Sequence, residues 1–211
     1  LSEEEIICEP FGKNTAPAIG LLCLKLMRTG LGKEVAGVFP ADHLIVEDEK
    51  FRELVKFAER LAQEGQVVTL GILPRYASTG YGYIEVTKEE YRSEGAWTAL
   101  KVDGFREKPS EKVAQEFLET GQHFWNSGMF IFQVDKMVEH FQNFLPNLWE
   151  RLQRMEPDFS NASTVYSNLE SQSIDYGIME KLKEQVCIPC EIGWSDVGSW
   201  DELARIAEEL P

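Results

Sequence analysis

An α/β fold with a mostly parallel mixed sheet covered by helices on both faces, Rossmann-like in arrangement, is the class this sequence predicts. Three observations carry it. Short apolar runs rich in Val and Ile alternate with stretches of helical periodicity. Several of those stretches close on a glycine, at Gly30, Gly65 and Gly121. Alternation of strand and helix is the pattern of parallel sheets whose crossovers lie on the faces.

The elements follow in order. Glu5 to Glu9 reads as a short strand. Thr15 and Pro17 open a helix that carries Leu21, Leu22, Leu24 and Leu26 and stops at Gly30. Val35 to Phe39 is a second strand. Asp48 caps a helix whose apolar stripe is Phe51, Leu54, Val55, Ala58 and Leu61, ended by Gly65. Val67 to Leu73 is a third strand. Two short strands on either side of residues 84–105 pair as an antiparallel excursion, because no helical pattern separates them. Ser110 caps a helix ending at Gly121, and a strand runs from Met129 to Val134. Helices are expected around 135–154 and 174–184, a strand from Val186 to Ile192, and a final helix from Trp200 to Leu210. The Ser- and Asn-rich stretch 156–173, with Pro157, reads as a long loop. Residues 1–211 form one domain on this reading, with no linker, repeat or low-complexity segment.

Composition narrows the function classes. With 43% hydrophobic and 27% charged residues, a chain of 211 residues builds one sizeable core. A formal net charge of −15 argues against a nucleic-acid partner, since no basic stripe offsets it. No apolar run approaches the roughly 18 residues of a membrane span, and residues 1–20 lack a signal-peptide pattern, so no membrane association and a cytoplasmic location are expected. Cys187-Ile188-Pro189-Cys190 invites a redox or zinc reading, but Cys8 and Cys23 form no second close pair; reduced, packed thiols fit better. His43, His123 and His140 form no metal-binding spacing, which argues against a zinc hydrolase.

Chemistry concentrates in two acidic motifs, Phe39-Pro40-Ala41-Asp42-His43 and Gly193-Trp194-Ser195-Asp196-Val197-Gly198-Ser199-Trp200. In each an apolar run stops at an aspartate beside chain-turning residues, so both carboxylates emerge at strand ends, where open α/β sheets build ligand sites. Two carboxylates gathered there can hold a divalent cation against nucleotide phosphates. Each aspartate alone could equally cap a turn or a helix. No Walker A and no G-x-G-x-x-G phosphate loop is present, nor the Asp-x-Asp of many glycosyltransferases.

Further motifs then occur in a telling order: Glu9-Pro10-Phe11-Gly12-Lys13-Asn14-Thr15-Ala16-Pro17-Ala18, the Phe39–His43 motif, Ser78-Thr79-Gly80-Tyr81-Gly82-Tyr83-Ile84, Phe105-Arg106-Glu107-Lys108-Pro109, Trp125-Asn126-Ser127-Gly128-Met129-Phe130, Ser173-Ile174-Asp175-Tyr176-Gly177-Ile178-Met179-Glu180-Lys181, and the Gly193–Trp200 motif. In that order and over essentially the whole chain, the sequence resembles the bacterial mannose-1-phosphate guanylyltransferases, or GDP-mannose pyrophosphorylases. The resemblance implies the nucleotide-diphospho-sugar transferase type of α/β fold and transfer of GMP from GTP to mannose 1-phosphate, releasing pyrophosphate. It implies Mg²⁺ held by Asp42 and Asp196, and Lys108 as a catalytic cation on the sugar's phosphate. Glu9, Gly12, Asn14 and Thr15 would read the guanine, although Asn14 and Thr15 could be only a helix cap. Gly82, Glu107, Asn126 and Asp175 would meet the sugar, where Gly82 lets backbone approach the ring and Glu107 and Asn126 pair with hydroxyls. Tyr81, Tyr83, Trp125 and Trp194 could line the sugar pocket, with core packing as the default.

The family's glycine-rich, arginine-containing loop and nearby lysine are missing from this sequence, which starts at Leu1 directly before the first expected strand. A natural start upstream is therefore expected, the 211 residues alone are expected to be inactive, and a homodimer is an open expectation. Two other readings stand beside this one: a nucleotidylyltransferase for another nucleoside triphosphate or hexose 1-phosphate, and a non-catalytic sugar-nucleotide-binding regulatory module. The paired Asp42 and Asp196 argue against the second, since binding alone does not need both.

Overall fold

The computed structural model describes residues 6–198 together with Trp200, Leu203 and Ala207. In chain order its elements are α1 (Thr15–Arg28), β1 (Val35–Val38), β2 (Leu44–Ile45), α2 (Asp48–Gln63), β3 (Val67–Ile72), β4 (Tyr83–Glu94), β5 (Trp97–Arg106), α3 (Glu111–Thr120), β6 (His123–Gln133), α4 (Val134–Phe144), α5 (Pro146–Gln153), α6 (Ala162–Ser167), α7 (Ile174–Gly177), a 3₁₀ turn (Met179–Lys181), β7 (Gln185–Cys190) and β8 (Trp194–Ser195). The class is α/β, with a central mixed sheet flanked by helices. Its strands run in the order β1-β6-β3-β7-β5-β4, with an additional pairing between β6 and β4.

The expectation of a mostly parallel sheet needs correcting. β3 and β7 are parallel, whereas β3–β6, β4–β5, β4–β6 and β5–β7 are antiparallel. The sequence signal behind the expectation was burial, and burial does not report direction. All six residues of β3 are buried, as in any strand covered on both faces, whichever way its neighbours run. Direction is set instead by a tight hairpin: Gly95 at φ 60° turns β4 into β5, and the Ser93 and Thr98 hydroxyls bond across it at 2.8 Å. These strands fill the region 83–106 instead of flanking it.

Other differences have local causes. Residues 6–9 are irregular rather than a strand, and Glu5 lies outside the described residues. β6 begins at His123, earlier than the apolar run suggested, because the His123-Phe124-Trp125 stretch is buried between β3 and β4. The helix expected over 174–184 is only a single turn, α7, followed by the 3₁₀ turn. Stretch 156–173 is not wholly loop, since it contains α6. Trp200, Leu203 and Ala207 have helical backbone; the rest of the expected last helix lies outside the described residues.

Contacts divide the chain into two compact units, Leu1–Ala36 with Phe132–Leu182 and Gly37–Ile131 with Lys183–Pro211. The first is helical. α1 buries Ala16, Ile19, Leu21, Cys23 and Leu24, and packs on α4 and α5. Gly20 permits the close approach, because a Cβ there would stand 2.6 Å from Leu152 Cδ1. Phe141, whose ring lies 3.4 Å from the same Cβ position, stacks on Trp149 at 5.8 Å. Truncating fully buried Leu152 to Ala should cost about 2–5 kcal/mol.

The second unit centres on β3, onto which α2 packs through Leu54, Phe57, Ala58 and Leu61, all fully buried. Arg60 of α2 ties the far end of the hairpin by a two-pronged bond to Glu94, at 2.7 and 3.1 Å. Ile84, Val86, Val102, Phe124 and Cys187 form a continuous cluster beneath β4 and β5. That packing fixes the strand ends on which the candidate site stands.

Candidate active site

The two acidic motifs meet through the smallest sheet of the fold. β2 and β8 pair antiparallel, with Leu44 opposite Ser195 and Ile45 opposite Trp194. Continuing that register by one residue sets His43 beside Asp196, with Asp42 next along the chain. Two carboxylates remote in sequence thus share one end of a two-stranded clip. Gly193, at φ 64°, turns the chain into β8; a Cβ there would lie 2.7 Å from Val46 Cβ.

Side chains brace the clip. Trp194 Nε1–H donates to His43 Nδ1 at 3.0 Å, and the two rings meet edge to face at 5.3 Å. The indole nitrogen can only donate, so Nδ1 must accept and the imidazole is neutral with its proton on Nε2. Burial lowers the His43 pKa from its ordinary value, against the pull of Asp42 and Asp196. Asp196 Oδ1 accepts twice, from the Tyr81 hydroxyl at 2.9 Å and from Gly198 N–H at 3.1 Å. Burial, then the bond to Asp196, push the Tyr81 phenol well above its usual range. Its ring stands edge-on to Trp125 at 4.9 Å and to Trp194 at 5.5 Å.

Three of the four residues expected at the sugar, Gly82, Glu107 and Asn126, also gather in this unit. Asn126 N–H donates to Gly82 C=O at 2.8 Å, and a Cβ on Gly82 would come within 2.5 Å of Glu107 Oε2 and 3.6 Å of Asn126 Cβ. Gly82, Glu107 and Asn126 are therefore one cluster. The glycine makes room for the Glu107 carboxylate, a more specific reason than free approach of backbone to a ring. Asn126 Oδ1 accepts from Gly128 N–H at 3.1 Å, so part of its polar capacity forms the turn that precedes Met129. Lys108 follows Glu107 at φ 43°, an unusual backbone for a residue with a side chain, and its ammonium lies 3.8 Å from Glu107 Oε1 with 65% of the side chain exposed.

Glu9, Gly12, Asn14, Thr15 and Asp175 belong to the first unit. Glu9 Oε1 is buried and has no hydrogen-bond partner among the described residues. Gly12 is exposed, and a Cβ there would meet nothing within 4 Å. Asn14, at φ 70°, caps α1 by accepting from Thr15 N–H at 2.8 Å. Thr15 Oγ1 accepts from Ile174 N–H at 2.8 Å, while Ala16 N–H donates to Gln172 C=O and Gln172 N–H to Lys13 C=O. Asn14 and Thr15 therefore do scaffold work at the start of α1. Asp175 caps α7 jointly with Ser173, whose hydroxyl donates to Asp175 Oδ2 at 2.9 Å and accepts from Asp175 N–H at 3.0 Å.

Sequence reasoning missed the bracing roles of His43, Trp194 and Tyr81. Their signal was adjacency: each stands within two residues of a residue singled out for chemistry, Asp42, Asp196 or Gly82. Three of the four thiols are packed as expected, whereas Cys8 is exposed. Cys23, Cys187 and Cys190 are buried and free, with Cys23 and Cys190 pushed up to about 12 by burial. Cys187 and Cys190 stand three apart on β7 and so point to opposite faces. Among the described residues no group of three or more His, Cys, Asp or Glu is placed to hold a metal, and no helix is long and apolar enough to cross a membrane.

The chain is similar to known proteins. The chain is 38% identical over 213 residues to xanthan biosynthesis protein XanB of Xanthomonas campestris pv. campestris strain B100, covering 97% of this chain and 44% of that protein. It is 36% identical over 216 residues to mannose-1-phosphate guanylyltransferase of Salmonella montevideo, covering 99% of this chain and 45% of the relative. It thus spans less than half the length of these curated relatives. Among solved structures it resembles one described as mannose-1-phosphate geranyltransferase from Thermus thermophilus, with a TM-score of 0.85 and 37% identity over 97% of this chain and 58% of that one. The sequence pattern of the nucleotidyl transferase family matches residues 2–211, and the chain belongs to that family.

Proposed function

We propose that residues 1–211 are the nucleotidyltransferase domain of an enzyme that transfers GMP from GTP to mannose 1-phosphate, giving GDP-mannose and pyrophosphate. The observation that carries this reading is the β2–β8 register, which turns two distant aspartates into neighbours at a strand end. The choice of substrates rests on the relatives named for mannose-1-phosphate guanylyltransferase.

The donor set fits a magnesium ion. Mg²⁺ keeps much of its water and uses one or two carboxylates together with substrate phosphates, so Asp42 and Asp196 suffice without a third protein ligand. When bound, the ion neutralises phosphate charge between two anionic substrates. An oxygen of the sugar phosphate attacks the α-phosphorus of GTP in line, forming the new P–O bond as the bond to the β-phosphate's bridging oxygen breaks and pyrophosphate leaves. This chain's own part is to position and to neutralise. Lys108, exposed beside Glu107, supplies a cation for the sugar's phosphate. Glu107 and Asn126, gathered around Gly82, supply acceptors and donors for vicinal hydroxyls. In the first unit, Glu9 lies beside the Tyr166 hydroxyl and keeps one buried carboxylate oxygen without a hydrogen bond among the described residues, for which guanine's N1–H and exocyclic amine are suitable donors. Gly12 leaves that approach open, and Asn14 and Thr15 support it by holding the start of α1. Asp175, in the first unit, is assigned to the sugar by the family motif alone. A cytoplasmic setting suits the buried free thiols.

The test is a substrate panel. The whole protein is assayed for pyrophosphate release from GTP, ATP, CTP and UTP, each with mannose 1-phosphate and glucose 1-phosphate. GTP with mannose 1-phosphate should give the highest kcat/KM, by about tenfold or more over ATP. A different preferred pair would replace this assignment.

A further inference from the structure

Asp196 is fixed by a hydroxyl that no part of the proposed reaction uses. The Tyr81 O–H donates to Oδ1 at 2.9 Å, and Gly198 N–H reaches the same oxygen at 3.1 Å. Both donors therefore converge on Oδ1. Gly198 also leaves room at the other oxygen, since a Cβ there would stand 2.8 Å from Oδ2. The carboxylate cannot turn without breaking two bonds, and the oxygen it presents is Oδ2.

Tyr81 is itself held in place. Its ring meets Trp125 at 4.9 Å and 60° and Trp194 at 5.5 Å and 65°, edge-on arrangements that fix ring position without using its hydroxyl. Trp194 is pinned in turn by its bond to His43, next to Asp42. The bracket thus runs through aromatic side chains from Asp196 to His43, the neighbour of Asp42, and it reaches the Asp196 carboxylate through the Tyr81 hydroxyl.

We propose that Tyr81 is a positioning residue that keeps Asp196 Oδ1 engaged, so that Asp196 offers a cation a single oxygen and the site favours Mg²⁺ over Ca²⁺. This rests on the reading of Asp196 as a cation-holding residue. The chemistry behind the preference is general: Mg²⁺ takes single carboxylate oxygens in tight octahedral surroundings, whereas Ca²⁺ readily takes both oxygens of one carboxylate at longer range. A Tyr81 hydroxyl occupying Oδ1 penalises the second mode.

Tyr81→Phe removes the hydroxyl and keeps the ring between its tryptophans. Binding of Mn²⁺ to the whole protein with GTP is followed by electron paramagnetic resonance, with Mg²⁺ and Ca²⁺ as competitors, in wild type, Y81F and D196N. The expected result is a Ca²⁺ to Mg²⁺ affinity ratio raised at least about threefold in Y81F. A ratio that stays at the wild-type value while D196N loses the cation overturns the positioning role alone. Cation binding unaffected by D196N overturns the cation reading of Asp196, and this inference with it. A Y81F protein whose thermal midpoint drops by many degrees, with both cations weakened equally, identifies Tyr81 as a packing residue and also refutes the proposal.

Discussion

At the start of α1 the chain is held by its backbone: Ala16, Gln172 and Lys13 exchange main-chain bonds, and the Asn14 and Thr15 side chains are used on backbone N–H groups. At the end of β8 the opposite holds, because side chains grip other side chains, Tyr81 on Asp196 and Trp194 on His43. The first region is a scaffold that leaves one polar atom, Glu9 Oε1, without a partner; the second is a bracket built around the carboxylate itself. Substitutions in the two regions should therefore fail differently. Changing a scaffold side chain costs stability, whereas changing a bracketed one costs chemistry.

The largest separation is expected at the aspartates. Asp42→Asn or Asp196→Asn in the whole protein should lower turnover by roughly 10²–10³, about 3–4 kcal/mol of transition-state electrostatics, with the thermal midpoint nearly unchanged. Steady-state kinetics beside calorimetric unfolding checks both halves; activity within about tenfold of wild type would break the contrast. Glu9 is the exception within the scaffold region. Glu9→Gln should narrow the preference for GTP over ATP by about tenfold, because a neutral amide offers guanine one donor where it needs an acceptor. Unchanged base preference would leave Glu9 as an ordinary half-buried carboxylate.

Thr15→Val sharpens the comparison from the other side. It removes the acceptor for Ile174 N–H and should cost about 1 kcal/mol, a few degrees in thermal midpoint, while the KM for GTP stays within about twofold. A large KM change without loss of stability would move Thr15 into the binding surface. The smallest effect is pH dependence. Burial holds His43 below its ordinary value of 6.5, so the unfolded chain takes up this proton first as pH falls. The stability that His43 contributes is present above 6.5 and is lost as pH falls through that value toward the lowered folded one. His123, also lowered by burial, acts with the same sign. The midpoint should drop between about pH 7.5 and 5.5, and less so in His43→Gln.

Legibility in the sequence followed the same division. The α1 start was readable from Asn14, Thr15 and Pro17, since capping is a local matter, and Gly121 ends α3 in the left-handed conformation as its position suggested. Strand direction was not readable, because β3 is apolar throughout and such a run fits parallel and antiparallel neighbours alike. The cluster of Gly82, Glu107 and Asn126 was legible only through family order, since no spacing rule connects three motifs that meet by sheet register. The Tyr81–Asp196 bond was illegible for the same reason: the partners are 115 residues apart, and aromatic residues in a turn read as packing by default.

The proposed function requires Asp42 and Asp196 together to hold the divalent cation of a guanylyl transfer. Crystals of the whole protein with GTP and Mn²⁺, measured at the manganese absorption edge, test it most directly. One anomalous peak in contact with carboxylate oxygens of both Asp42 and Asp196 and with GTP phosphate is the expected result. A peak on the phosphates that touches neither aspartate would contradict it.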